Sequence, residues 1–176
     1  RMFQSGTYVV YGCKGVHKIT GITTLNLEGI PKDKNYYILE PLKKAQAAIY
    51  APVEEMRIRM RPVMSREEAE HFLQSMGLIL PLSIRNPRAR EEACRECIRS
   101  CEPDELLRVI KTLQHRKTER ARQGKKLTLC DLHYMEQAES TLYEELSLSL
   151  SLDRSLIEDK IRRFVSEEEE VRECRQ

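Results

Sequence analysis

The chain has 176 residues, and its 30 basic and 28 acidic side chains leave a formal net charge of only +2. This balance excludes binding to nucleic acid by overall charge, so any such surface must be local. No apolar run approaches the roughly 18–20 residues of a membrane helix, and the first residues lack the pattern of a secretory signal. We therefore expect a cytoplasmic protein that does not act at a membrane.

The first 62 residues have the alternation and the turn composition of short β-strands. Four or five strands are predicted, at 8–11, 15–24, 34–40 and 46–51, with 56–60 as the optional fifth. Glycine-, proline- and lysine-rich turns such as EGIPKDK separate them. This pattern is typical of a small twisted barrel or half-barrel, which has no room for a deep ligand pocket.

After Pro62 the pattern changes to helix. Ser65 and Glu68 form a capping box at the start of the first predicted helix, which ends near Gly77. Four more helices are predicted, at 87–101, 103–123, 128–150 and 153–165. The predicted fold class is α+β, with a β-barrel domain over 1–62, a compact all-α domain over 63–166 and a charged, disordered tail over 167–176.

Three of the six cysteines lie close together in EACRECIRSC. Cys94, Cys97 and Cys101 could hold a metal ion or act in redox chemistry, but the histidines show no paired spacing with them. The same cysteines and Ile98 fall on one face of the predicted helix, where cysteine behaves as a small hydrophobic residue. We favour packing in the core, and we expect no metal and no cofactor.

The segment from Glu105 to Lys126 concentrates positive charge. Eight basic residues face two acidic ones there, a net +6, whereas acids accumulate at Glu167 to Glu170. A basic helix of this kind could follow a phosphate backbone, where it would position the protein rather than read bases. Equally, it could be a solvated helix face with cations at its C-terminal end.

No catalytic motif is present. The sequence lacks GxxxxGK[ST], GxGxxG, HExxH and GxSxG, and the lone His17 lies in a strand pattern. We expect neither an enzyme nor a small-molecule substrate.

Three N-terminal segments, MFQSGTYVVYGCKGVHKI, YYILE and AAIYAPVEE, resemble the CarD/CdnL family of bacterial RNA polymerase-binding transcription regulators. The same module occurs in the transcription-repair coupling factor, whose helicase motifs are missing here. The resemblance implies a Tudor-like barrel that docks on the RNA polymerase β subunit by adding a sheet edge. The residues carried over to that docking surface are Thr24, Leu25, Gln46, Ala47, Ala48, Ile49, Tyr50, Ala51 and Pro52. Family members often have arginine at the positions of Leu25 and Tyr50, so the strand edge rather than charge would carry the contact here.

The resemblance also implies that the helical domain lies on promoter DNA at the upstream edge of the melted bubble. It would contact mainly the backbone and the minor groove, independently of sequence, and steady the open complex. The expected DNA-binding residues are Arg85, Pro87, Arg88, Arg90, Lys111, Arg116, Lys117, Arg120, Arg122, Lys125 and Lys126.

One feature of the family is missing, because the chain contains no tryptophan. Well-studied members place a tryptophan as a wedge against the minor groove, at a position that aligns near Asn86 and Pro87. Pro87 or Ile84 could substitute for it, since apolar side chains act as wedges in other proteins. Alternatively, LILPLSI simply packs helices together, which is the interpretation we favour.

Three hypotheses follow. The leading one is a transcription regulator that binds the RNA polymerase β subunit and promoter DNA. The second is a protein-interaction adaptor on RNA polymerase that never touches DNA. The third, and least favoured, is a thiol or zinc sensor that uses Cys94, Cys97 and Cys101.

Overall fold

A computed structural model describes residues 3–176 and divides the chain into two compact units, one ending at Val63 and the other starting at Met64. Within the described residues the first unit is a five-stranded antiparallel sheet and the second contains five α-helices. The predicted α+β class is therefore confirmed. The strands are β1 (Tyr8–Tyr11), β2 (Val16–Thr24), β3 (Asn35–Pro41), β4 (Ile49–Pro52) and β5 (Met60–Pro62). The helices are α1 (Arg66–Ser75), α2 (Pro87–Ser100), α3 (Pro103–Arg122), α4 (Leu129–Leu150) and α5 (Arg154–Cys174).

The strands lie in the order β4-β3-β2-β1-β5, so β4 and β5 form the two edges. Inward-facing side chains from four strands build the core of this unit, namely Val9, Tyr11, Ile19, Tyr37, Leu39 and Ala51. The fifth strand begins at Met60, later than predicted, because the chain bends beforehand and Glu55 adopts a left-handed conformation with φ of 54°.

Two backbone features shape this sheet. The register between β2 and β3 shifts at Thr20, which has no partner of its own between Ile19 and Gly21 and forms a β-bulge. Gly12 follows β1 with φ of 50°, and a Cβ there would lie 2.5 Å from the side chain of Ile58. Only glycine fits that approach without displacing its neighbour.

The helical unit begins with the caps that the sequence predicts. Ser65 and Glu68 form the capping box of α1, and the Thr128 side chain accepts a hydrogen bond from the amide of Asp131 at the start of α4. Two α4 side chains also hold the main chain of Met64, the first residue of this unit. Its amide donates to Glu145 Oε2 at 2.9 Å, and its carbonyl accepts from Ser149 Oγ at 2.7 Å.

The core of the helical unit lies among α3, α4 and α5. Side chains from all three helices are buried there, including Leu106, Leu107, Leu113, Leu142, Leu146, Ile157 and Ile161. Each contributes on the order of 1.5–3 kcal/mol by leaving water. From the connector between α1 and α2, Ile79 and Leu82 pack against this core, whereas Leu78 and Leu80 are exposed. Of the five aliphatic residues of LILPLSI, two therefore pack against the core, two are exposed and Ile84 is half-buried, so the packing interpretation holds only in part.

The C-terminal segment differs from the expectation of a disordered tail over 167–176. Helix α5 continues through Cys174, nine residues beyond the predicted end at Val165. The reason is tertiary contact, since Glu168, Glu169 and Glu173 each meet a basic residue of α3. The acidic run is therefore part of the folded helical unit.

Candidate functional site

Strand β4 presents an open edge of the sheet. It pairs with β3 on one side, with Ile38 opposite Tyr50 and Leu39 opposite Ile49. Ile49 and Ala51 point into the core, and the Tyr50 side chain lies on the other face with 48% of its surface exposed. One face of β4 is thus held by packing in the core, and the other face is accessible to solvent.

The register shows which main-chain groups of β4 point outward. The amide of Val53 donates to the carbonyl of Asn35 at 3.0 Å, which makes this a hydrogen-bonded pair. Such pairs alternate along an antiparallel ladder, so the amide and carbonyl of Tyr50 point away from β3. Pro52 likewise directs its carbonyl outward but has no amide to offer. Tyr50 is therefore the residue at which an added strand could both donate and accept.

The remaining docking candidates lie apart from this edge. The sequence predicts Gln46, Ala47 and Ala48 to lie in the strand. In the structure they precede β4, in an exposed bend and irregular segment. Thr24 ends β2, where it pairs with Asn35 of β3, so two strand spacings of about 4.8 Å separate it from the β4 register. Leu25 follows it and is half-buried. The structure brings Ile49–Pro52 together and leaves Thr24 and Leu25 at another place on the sheet.

A second accessible stretch was not anticipated from the sequence. The pairing of β1 with β2 ends at Lys18, but the residues before β1 continue it, because Ile19 exchanges hydrogen bonds with Gly6 and Thr7. The carbonyl of Thr20 accepts from Ser5, so β2 extends beyond its neighbour only from Gly21 to Thr24. Ile22 in this stretch is 43% exposed and Leu27 beyond it is 57% exposed. The only available signal was the nine-residue length of β2 against the four residues of β1.

Helix α3 carries most of the basic segment. Some of the basic side chains are engaged inside the helical unit, and others are exposed without an ion pair in the described residues. Lys111 is buried, and its ammonium group donates to the carbonyls of Met76 and Ile79 at 2.7 Å each and contacts Glu168 at 2.9 Å. The assignment of Lys111 to DNA binding is therefore wrong, because every donor of the ammonium group is already used inside the protein. Arg90 on α2 is only 8% exposed, so it offers little surface to DNA.

Other basic residues of the set are paired within the helical unit. The Arg116 guanidinium binds Asp131 at 2.7 Å, Arg122 binds Glu173, and Arg120 donates to the carbonyl of Lys126. The two ion pairs reduce the charge that the segment offers to a partner, which a count of residues along the sequence does not show. The Lys126 carbonyl is neutral and leaves the charge of Arg120 in place.

The accessible part of the basic set is smaller than predicted. Exposed members without an ion pair in residues 3–176 are Arg85, Arg88, Lys117, Lys125 and Lys126. Pro87 is the exposed first residue of α2, capped by Asn86, whose side chain accepts from the amide of Ala89 at 3.0 Å. Ile84 is half-buried.

Comparison with known families decides the identity of the first unit. Residues 3–64 match the model of the CarD-like/TRCF RID domain. These residues form a CarD-like domain. The resemblance read from the sequence is thus confirmed over the whole sheet, and the family is an RNA polymerase-interacting one. No curated protein matches the chain.

The CarD-like domain is a protein-interaction module, and its buried histidine fits a structural role. His17 is 1% exposed, its Nδ1 contacts the Gly15 carbonyl at 2.9 Å, and its Nε2 has no hydrogen-bond partner. Burial lowers the pKa of His17, with Lys14 acting in the same direction and the Gly15 hydrogen bond opposing.

Outside the CarD-like domain, the cysteine cluster packs as predicted. Cys94 and Cys97 belong to the core of the helical unit, and Cys101 is fully buried where α2 ends. Burial raises the pKa of Cys94 to about 11, and burial together with a hydrogen bond to Glu105 raises that of Cys97 to about 12. Such thiols are poor nucleophiles and poor metal ligands at neutral pH.

Between residues 3 and 176, no three His, Cys, Asp or Glu side chains are arranged to hold a metal ion. None of the helices in that range is both long and apolar enough to cross a membrane.

Proposed function

We propose that this chain is a transcription regulator that docks on the RNA polymerase β subunit through its CarD-like domain and contacts promoter DNA through its helical unit. In this proposal it modulates the stability of the open complex at initiation and catalyses no reaction. The match of residues 3–64 to an RNA polymerase-interacting family is the observation that carries it.

The β4 edge supports the docking half of the proposal. The outward amide and carbonyl of Tyr50 offer the pair of hydrogen bonds that strand addition requires. Ile49 and Ala51 hold the strand by packing in the core, so the edge needs little ordering on binding.

The exposed basic residues support the DNA half. Lys117, Lys125 and Lys126 lie at the end of α3 and in the turn after it, and Arg85 and Arg88 flank the start of α2. Lysines of this kind bind phosphate and release counterions without reading the sequence. We assign the role of minor-groove wedge to Pro87, which is exposed, in preference to the half-buried Ile84.

The docking test uses the full chain and the isolated β lobe of RNA polymerase, with binding followed by biolayer interferometry. Tyr50→Pro removes the outward amide, and proline is tolerated on the open side of an edge strand. Tyr50→Thr is the matched control, because it changes the same side chain and keeps the amide. We expect the proline variant to lose binding and the threonine variant to keep most of it. Equal binding by both variants, or none by the unaltered chain, would refute docking through β4.

A second candidate function is an RNA polymerase adaptor without DNA contact. The observation in its favour is the internal use of basic side chains, with Lys111 held by Glu168, Arg116 by Asp131 and Arg122 by Glu173. A helical unit that neutralises its own basic face has less charge to offer to DNA.

Charge variants separate the two candidates. Lys117, Lys125 and Lys126 are replaced together by glutamine, and the control replaces the exposed Arg154, Lys160 and Arg163 of α5 in the same way. If the basic face contacts DNA, the first variant should lower the salt slope of promoter binding by about 1 per lysine and the control should not. Identical slopes in a polymerase–promoter complex would favour the adaptor.

A further inference from the structure

The open edge of β4 is complementary to a second copy of itself. The amide and the carbonyl of Tyr50 both point away from β3, and neither has a partner among residues 3–176. One residue therefore offers a donor and an acceptor on the same side of the strand. If two β4 strands meet in antiparallel orientation, their Tyr50 residues can face each other and exchange both hydrogen bonds of one ladder step.

The side chains on the accessible face of β4 also suit such a pair. Each Tyr50 side chain would lie directly opposite the other, and aromatic pairs in that position stabilise adjacent strands. In the β3–β4 ladder, Ile38 pairs with Tyr50 and Tyr36 pairs with Pro52, so no charge lies on this part of the face. Edge strands are commonly protected from pairing by charged side chains, and Ile49–Pro52 contains none.

Pro52 shortens the usable edge but does not block this arrangement. It lies two residues from Tyr50, and its carbonyl points outward although it has no amide to donate. When the two Tyr50 residues form the centre of the pair, position 52 of one copy faces position 48 of the other. The exposed Ala48 has an amide that can donate to the Pro52 carbonyl there, so the proline costs the pair only a donor.

The charges beside β4 favour antiparallel pairing of two copies. The exposed Lys44 precedes the strand and the exposed Glu54 follows it, and neither forms an ion pair in the part of the chain that the structure describes. Antiparallel pairing places the beginning of each β4 beside the end of the other. Lys44 of one copy thus approaches Glu54 of the second, and the same contact occurs again at the opposite end of the pair.

We infer that two copies of this chain associate through β4, in an antiparallel pair centred on Tyr50. The two sheets would then form one continuous sheet. The contact involves only the four residues of β4 and their immediate neighbours, so the dimer should be weak and dependent on concentration. A copy paired in this way has no β4 edge left for another strand. The inference goes beyond the proposed function, because it requires neither polymerase nor DNA.

Sedimentation equilibrium of the full chain over a wide range of concentration tests the inference with no other macromolecule present. We expect the mass to rise with concentration from that of the 20.6 kDa monomer toward that of a dimer. Tyr50→Pro removes the central amide from both copies at once, so it should weaken association by about 10- to 100-fold. Tyr50→Lys places two like charges opposite each other and should also weaken association.

The matched control is Tyr50→Thr, which keeps the amide and adds no charge. It should weaken association by less than about tenfold, because only the aromatic pair is lost. A mass that stays at that of the monomer at every concentration would overturn the inference. A dimer that Tyr50→Pro and Tyr50→Lys leave unchanged would overturn it as well, since association would then use another surface.

Disulfide cross-linking tests the register of the pair. In a variant with serine at Cys13, Cys130 and Cys174, Tyr50→Cys should give a covalent dimer on oxidation, because facing Cα atoms in such a pair lie about 5.5 Å apart. Glu54→Cys is the control, since its two copies would lie eight residues apart, roughly 27 Å, and should not be joined. Equal cross-linking at both positions, or none at position 50, would rule out a pair centred on Tyr50.

Discussion

Lys111 of α3 and Glu168 of α5 form an ion pair at 2.9 Å in which the lysine side chain is only 2% exposed. The same ammonium group binds the carbonyls of Met76 and Ile79 and lies 5.5 Å from the centre of the Phe164 ring. One cation thus joins the end of α1, the following connector, α3 and α5.

Loss of this cation should destabilise the helical unit. Lys111→Met leaves the two carbonyls without their donor and removes the closer of the two cations that pair with Glu168, the other being Arg172 at 3.6 Å. We expect a loss of about 3 kcal/mol in the free energy of unfolding. Urea denaturation followed by circular dichroism at the helical band measures it. Lys117→Met is the control, since Lys117 is exposed, and it should change stability by no more than about 0.5 kcal/mol. Similar values for the two variants would contradict a structural role for Lys111.

The stability of the CarD-like domain should depend on pH through His17. Burial lowers the pKa of His17 below the ordinary value of 6.5, so the unfolded chain binds the proton more readily than the folded one. The contribution of His17 is therefore complete above pH 6.5 and is lost as the pH falls through the lower pKa of the folded state. The slope is at most about 1.4 kcal/mol per pH unit.

NMR titration of the ring proton of His17 measures this pKa directly, and melting curves between neutral and acidic pH measure its effect. In His17→Leu, the fall in melting temperature that protonation of His17 causes at acidic pH should disappear. The exposed His133 serves as the control, and His133→Leu should retain it. A folded-state pKa at or above 6.5 would contradict the prediction.

The six cysteines should divide into two reactive classes. Cys13, Cys130 and Cys174 are exposed, whereas Cys94, Cys97 and Cys101 are buried. At mildly alkaline pH we expect three thiols to react quickly with a disulfide reagent and the other three only after denaturation, because burial blocks access and raises the pKa of Cys94 and Cys97. Serine at the three exposed positions should abolish the fast phase. A fast phase of four or more thiols in the unaltered chain would contradict the structure.

The acidic end of α5 should weaken the binding of DNA. Glu169 and Glu173 contact His115 and Arg122 of α3, so glutamine at both positions should raise the affinity for duplex DNA. The control with the same change in charge is glutamine at Glu167 and Glu170, which are exposed and form no ion pair in the described chain. Fluorescence anisotropy with a labelled duplex measures the difference. An equal gain in affinity for both double variants would mean that only total charge matters. No gain in either would count against DNA binding by the basic residues of α3.

Much of the local structure could be read from the sequence, because its signals are short-range. Strand β1 has the bounds that were predicted, and Pro87 and Thr128 mark the starts of α2 and α4 through their fixed φ and their capping oxygen. The β4 edge was anticipated only through the resemblance, since pairing order depends on contacts between distant segments.

The errors share one cause, which is tertiary pairing of charge. A run of glutamates suggests a frayed end, but α5 is extended by contacts with residues more than 50 positions away, such as His115 with Glu169. A lysine in a basic segment suggests solvent, but Lys111 is buried with three acceptors. The composition of a segment gives its charge, but it does not show which charged groups form ion pairs or hydrogen bonds in the folded protein.

The outward amide and carbonyl of Tyr50 have a consequence for how this surface can vary. Main-chain groups are the same whichever side chain follows them, so an edge that is recognised through them places almost no demand on residue type except the exclusion of proline. Exposed side chains there are free to adjust solubility or to discourage self-association. Strand addition at β4 would therefore tolerate many side chains at position 50, and a partner would recognise the edge by its spacing and twist rather than by the chemistry of that side chain.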